Sequence, residues 1–307
     1  MIFYNKSWLK LLLTLKGSVI PQVWRRVVVA MIFALIITII YQSGLTWIHQ
    51  PTLVSLIPSV VLGLLLVFRT NTSYDRFWEG RKVIGGIIIS CRSLSRQIWV
   101  NIPEKNPADT EKKKAVIILL AGFLIGTKLH LRNENVDKKL QSIISENQYL
   151  ELKEVNHIPL RIAKWIGDYF RQVYDLNYID SIQLSTYNQI LDSMVKDETA
   201  CERILNTPIP LAYAIHIKHL LLFYCFALPF QMVAQLSWMT IPTVGVISFA
   251  LLGIEAIGLE IENPFGYDPN DLPLDKMCDR LLLDIEELLT SDSRKEYLVD
   301  QDIPTSN

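Results

Sequence analysis

The sequence predicts an all-α membrane protein in which four transmembrane helices are combined with a cytoplasmic helical bundle. Three observations carry this expectation. Half of the 307 residues are hydrophobic while a fifth are charged, so apolar spans and water-facing regions share one chain. Four apolar segments each approach the roughly 17 to 25 residues that a helix needs to cross the hydrocarbon core. The long stretch between the second and third of them, about Ser73 to Pro210, mixes apolar and charged residues at helical spacing, with few glycines and no convincing strand alternation.

The first span is expected at about Trp24 to Trp47. Lys6, Lys10, Lys16, Arg25 and Arg26 precede its long apolar run, and no clear small-residue cleavage site follows, so the segment reads as a retained span rather than a cleaved signal. The second span, about Thr52 to Phe68, carries Val60, Leu64 and Phe68 at four-residue spacing, with Leu56 extending the row. Such an apolar row can face lipid, pack on a neighbouring helix, or form a hydrophobic constriction. It runs directly into RTNTSYDRFWEGRK (69 to 82), dense in charge and aromatics.

The stretch that follows is expected to be the cytoplasmic bundle. Its run AVIILLAGFLIGTKLHL (115 to 131) has the length of a span, but a fifth crossing would break the charge asymmetry, and Lys128 and His130 interrupt its end, so it is assigned to the bundle core. NIPEKNPADTEKKK (101 to 114) and LRNENVDKK (131 to 139) read as polar connections. The third and fourth spans are expected at about His219 to Trp238 and Thr240 to Leu259. The resulting organisation is 1–72 for the N-terminal segment and two spans, 73–210 for the cytoplasmic helical region, 211–260 for the last two spans, and 261–307 for a cytoplasmic C-terminal segment.

Charge sets the orientation. QSGLTWIHQP (42 to 51) and QLSWMTIPT (235 to 243) lack Lys and Arg, whereas Arg25, Arg26, the 69 to 82 stretch and Lys218 flank the opposite ends, which puts both termini in the cytoplasm of an inner or plasma membrane. Trp47 and Trp238 fall at the outer ends, where amphipathic rings suit the headgroup region. A net charge of −1 with scattered Lys and Arg argues against nucleic-acid binding. Cys91, Cys201, Cys225 and Cys278 lie far apart without CxxC spacing, which argues against both a zinc site and a disulfide framework. No GxxxxGK[ST], HExxH or GxSxG string occurs, so no enzyme activity is expected.

Four strings, GSVI (17 to 20), RTNTSYDRFWEGRK (69 to 82), TPIPLAY (207 to 213) and ENPFGYDPNDLPLD (262 to 275), resemble in order and spacing the signature of the bestrophin ion channels. The NDLPLD ending and compact length look like the bacterial branch. The resemblance implies a homopentamer around a central pore, lined by the second span of each subunit, passing small monovalent ions across the lipid bilayer. Counting back from Arg76, Phe77 and Trp78 then puts the three rings of a pore neck on Val60, Leu64 and Phe68, leaving Leu56 outside. Counting back from IPLAY puts the family's second constriction, the cytosolic aperture, on Ile182, which could equally be an ordinary buried isoleucine.

Animal members resemble chloride channels, whereas bacterial-type members include cation channels. Asp180, two residues before Ile182, would place an acidic ring beside the aperture and favour cations such as sodium, or would simply cap a helix starting near Ser181. The aliphatic Val60 and Leu64 weaken the chloride reading, since aromatic edges favour anions. Sodium is slightly favoured, with a chloride channel or a non-conducting scaffold as alternatives.

The charges of 69 to 82 are expected to form a salt-bridge network, with Arg76 to Glu79 and Glu79 to Lys82 spaced to pair, or an ion-attracting vestibule. Glu260, Glu262, Asn263, Asp268, Asn270 and Asp271 supply hard oxygen ligands, and the resemblance puts Asp268 and Asp271 on two carboxylate positions of the animal calcium clasp. Glu260 replaces an amide of that clasp, and Pro269 and Asn270 break its acidic run, so an Asx-turn loop is favoured and no cofactor is expected to be required. Glu255 is expected to meet water or an arginine of the bundle, and His216 with His219 makes only a weak metal pair.

Overall fold

The computed structural model describes residues 14–15, 17–50 and 56–290, among which the regular structure is helical and no strand occurs. The helices are α1 (Ile20–Gln42), α2 (Leu56–Asn101), α3 (Pro107–Leu131), α4 (Lys138–Ile143), α5 (Glu146–Glu154), α6 (Ile158–Asp175), α7 (Ser181–Asn206), α8 (Leu211–Leu236), α9 (Thr240–Glu260) and α10 (Leu274–Thr290). They fall into two compact units. The first comprises the described residues up to Glu79 together with Thr207–Leu272; the second comprises Gly80–Asn206 and the described residues from Pro273 onward.

In the first unit, α1, α8 and α9 are long apolar helices separated by short turns. α1 begins four residues before the expected Trp24, because Pro21 with its preset φ opens the helix, and it ends at Gln42, before Gly44 at φ +100°. Trp47 and Trp238 therefore lie in short 3-10 turns beyond the helix ends, both largely exposed. α8 starts right after Pro210, eight residues before the expected His219, and tolerates Pro229 in its interior. Gly245 lets α9 press on α1: a Cβ there would lie 2.9 Å from Met31 Sδ. Small residues serve membrane helices in this way, by allowing close backbone approach where burial of apolar surface gives little drive.

The second span, expected at about Thr52 to Phe68, opens a much longer helix: α2 runs for 46 residues, from Leu56 through the charged 69 to 82 stretch to Asn101. Its length of about 69 Å far exceeds a hydrocarbon core of about 30 Å. Charges at 69 to 82 change the helix's solvent, not its backbone geometry, and no proline lies between Pro58 and Pro103 to stop it.

In the second unit α3 is the central helix. It is long and apolar enough to cross a membrane, yet 78% of its most apolar 18-residue window is buried within the protein. A helix that is apolar all round and enclosed by other helices is a core helix. Gly126 brings the start of α6 against it, with a Cβ there only 3.0 Å from Ile158 and 3.1 Å from Ile162.

The end of α3 is pinned by charge. Lys128 Nζ lies 3.0 Å from Asp137, the N-cap of α4, and 3.1 Å from Asp275, which Arg132 also reaches at 3.0 Å. Partial burial alone would raise the Asp275 carboxyl, but hydrogen bonds from Arg132 and Lys128 outweigh it and hold the pKa below its ordinary value. A depressed carboxyl stabilises the fold above its unfolded pKa, and that contribution disappears as the pH falls through the folded value. Asp275→Asn should therefore lower the melting temperature at pH 7, by a stability loss of about 1 kcal/mol or less after solvent screening. Melting both proteins across a pH series checks this: the gap should close as the pH drops below about 4.

Candidate pore-lining site

The first part of α2 has two faces. Leu62 and Leu66, 3% and 1% exposed, join Val23 of α1, Ile217 and Leu221 of α8, and Leu252 and Ala256 of α9 in one apolar cluster. At about 100° per residue, Val60, Leu64 and Phe68 fall on roughly the opposite side of the helix. They are 51%, 52% and 61% exposed, so the subunit's own core makes little use of them. Val61 and Val67 are exposed as well, which widens the apolar face beyond the single row. Thr70 and Thr72 turn their hydroxyls back onto the carbonyls of Leu66 and Phe68, at 2.9 Å each, and so add little polarity to this surface. Leu56 begins α2, with its side chain outside the described set.

Below this face, three of the four signature strings meet. Arg69 is 1% exposed, and its Nη2 lies 3.2 Å from Glu262 Oε2. The other oxygen of Glu262 accepts the backbone N–H of Ile209 at 3.0 Å. Arg76 donates from Nε to the Glu262 carbonyl at 3.1 Å and from Nη1 to the Thr207 carbonyl. α2, the TPIP turn and the segment after α9 are thereby locked together, and two of the charges expected in a vestibule or network are used as an internal clamp. Glu262, considered above as a calcium ligand, is the hub of that clamp.

Asp268 and Asp271 lie in a turn that closes on itself. The Asp271 carboxylate accepts the Asp268 N–H at 2.7 Å, and the Asp271 N–H donates to the Asp268 carbonyl at 3.0 Å. Beside them Asn270 Nδ2 donates to Glu260 Oε1 at 2.8 Å and to the Gly17 carbonyl at 3.3 Å, while Gln22 Nε2 donates to Glu260 Oε2 at 3.2 Å. Side-chain amide hydrogens thus stand between a carboxylate and a carbonyl. Glu255, 2% exposed, meets Arg26 of α1 at 3.6 Å rather than an arginine of the bundle. His216 and His219 join no grouping of three or more metal-ligating side chains among the described residues.

At the start of α7, Ile182 is 75% exposed in the subunit and is not an ordinary buried isoleucine of its core. Asp180 is the helix cap. Its Oδ1 accepts the Gln183 N–H at 2.8 Å, and Gln183 Oε1 accepts the Asp180 N–H at 3.0 Å, a reciprocal capping box. Its negative charge is set against the positive end of the helix.

Comparison with known proteins gives a consistent result. The family model described as "Bacterial/Fungal Bestrophin protein" matches residues 1–287. A protein of Nostoc named a voltage-dependent anion channel-forming protein is 52% identical over 284 residues, 92% of each chain. A Synechocystis protein of the same name is 47% identical over the same share. Among solved structures, a bacterial bestrophin homologue from Klebsiella pneumoniae superposes with a TM-score of 0.81 at 26% identity, covering 87% of this chain and 98% of that one.

Proposed function

The chain belongs to the bacterial and fungal bestrophin family, and we propose that it is the subunit of a pentameric channel for small monovalent ions. It is an ion-channel protein and not an enzyme. The observation that carries the reading is the two-faced α2: one side is fixed in the subunit core, and the other offers Val60, Leu64 and Phe68 to whatever lies outside it. Under five-fold symmetry one such row per subunit becomes three stacked apolar rings, a neck in which water is weakly held and an ion loses part of its hydration. Ile182, exposed at the head of α7, supplies the second apolar ring, the cytosolic aperture.

We assign four spans, to α1, the first part of α2, α8 and α9, with both termini in the cytoplasm of the inner or plasma membrane. Calcium is not required in this reading, because amide hydrogens of Asn270 and Gln22 already satisfy Glu260.

For selectivity, an anion channel is the reading we put forward. Of the two features that favoured cations, the aliphatic neck residues and the carboxylate of Asp180, the carboxylate is engaged as a helix cap opposite a positive helix end. The anion reading is supported by the names of the relatives at 52% and 47% identity. Sodium selectivity remains the second reading, since a capped Asp180 keeps its charge two residues from Ile182.

The reversal potential of purified protein in planar bilayers under a NaCl gradient tests both. A value near the chloride equilibrium potential is expected. A value near the sodium potential would overturn the anion assignment and leave the channel standing, and no current would reduce the protein to a membrane scaffold.

A further inference from the structure

Four side chains of metal-ligating type converge in the second unit. His130 lies in the last turn of α3, His157 caps the start of α6, and Glu198 and Glu202 sit one turn apart on α7. One donor atom from each lies within 4.8 Å of all the others. His130 Nε2 is 2.6 Å from Glu202 Oε1, and His157 Nε2 is 3.5 Å from the same oxygen and 3.7 Å from Glu198 Oε2. The two imidazoles stack with centroids 4.4 Å apart.

Glu198 makes the cluster more than an incidental network. It is 1% exposed, and its Oε1 has no hydrogen-bond partner among the described residues. Burial, and then the neighbouring Glu202 carboxylate, push its pKa up to about 8, while burial and the adjacent His130 hold His157 below its ordinary value. Two carboxylates one helical turn apart face two stacked imidazoles, and one carboxylate oxygen is left without a hydrogen-bond partner among the described residues. A single divalent cation would supply that partner and offset the paired carboxylates.

We propose that His130, His157, Glu198 and Glu202 form a structural zinc site that ties α3, α6 and α7 together. Two nitrogen and two carboxylate donors suit a closed tetrahedral zinc site, and imidazole donors disfavour calcium or magnesium. Tetrahedral ligands at normal zinc distances stand about 3.4 Å apart. The separations here straddle that value, so side-chain adjustments suffice. His157 Nδ1 accepts the Leu160 N–H at 3.2 Å, so its neutral ring carries the proton on Nε2. Coordination through Nε2 moves that proton to Nδ1 and gives up this long, solvent-exposed cap bond. A cavity of about 520 Å³ is lined by His130 and by Asn156 and Ile158, the chain neighbours of His157.

The test uses full-length protein in detergent, stripped with a chelator and titrated with ZnCl2 by calorimetry. One zinc per subunit is expected, with a rise in melting temperature. His130→Ala and the near-isosteric Glu198→Gln should each weaken binding by about 100-fold, with the elution profile of the metal-free protein unchanged. Co2+ added to the parent should give the intense ligand-field absorption of a four-coordinate site. Absence of saturable uptake, or uptake unchanged in a His130→Ala/Glu202→Gln double variant, would overturn the assignment. If the variants fail to fold, a weak six-coordinate Co2+ spectrum of the parent would overturn it as well.

Discussion

Replacing Val60, Leu64 and Phe68 together with alanine is expected to raise the current through the channel by about tenfold or more. The three side chains lie on the face of α2 that the subunit core does not use, so shortening them leaves the cluster around Leu62 and Leu66 intact. In the proposed neck, what changes is its width and wetting. An ion in a dry apolar ring forfeits hydrogen bonds with water, each worth about 1.5 to 3 kcal/mol for a charged partner. Regaining even one lowers the barrier enough for about a tenfold gain, since about 1.4 kcal/mol is a factor of ten. Bilayer recordings at matched protein density measure it, and a triple variant that conducts like its parent would remove these residues from the neck. Leu66→Ala supplies the contrast. On the buried face it should cost about 2 to 5 kcal/mol of stability with no widening of the pore.

The helical architecture was legible because apolar periodicity and charge asymmetry speak directly to burial and to the membrane. The run from Ala115 to Leu131, assigned to the bundle core for its interrupting Lys128 and His130 and the odd number of crossings it would create, lies in a helix whose most apolar window is 78% buried within the protein. The second span reads as an apolar segment running into charge, and the structure carries both in one helix. Arg69 to Lys82 continue the same helix, which only a breaker would have ended.

Partners set by tertiary contact were less accessible. Glu262 reads as one oxygen ligand among several until Arg69, Ile209 and Arg76 are brought to it from distant strings. His130 reads only as an interruption of an apolar run and His157 attracts no attention, and both are tens of residues from the glutamates they meet. One local signal was present. Glu198 and Glu202 are like charges four apart on a helix, an unfavourable pairing that calls for a compensating cation or proton.

Arg69→Met is expected to cost about 3 to 5 kcal/mol and to lower sharply the yield of folded protein, the larger of the two losses available at the Arg69–Glu262 pair. The guanidinium is 1% exposed, and its removal leaves the Glu262 carboxylate with the Ile209 N–H but without its opposite charge. Removing one partner of a buried pair is costly because the other's desolvation is no longer offset, whereas removing both charges is much cheaper. Glu262→Gln keeps the size of the side chain and its oxygen for Ile209, so the double variant Arg69→Met/Glu262→Gln should recover part of what Arg69→Met loses. A thermal-melt series of the four proteins in one detergent measures the coupling. Strictly additive losses would mean that the pair is not the clamp it looks like; a positive coupling of about 1 kcal/mol or more would make it the fastening between α2 and the segments at 207 and 262. In the latter case the neck row owes its outward orientation to this pair, because a helix fixed by Leu62, Leu66 and Arg69 on one side has only one face left to turn away from the subunit.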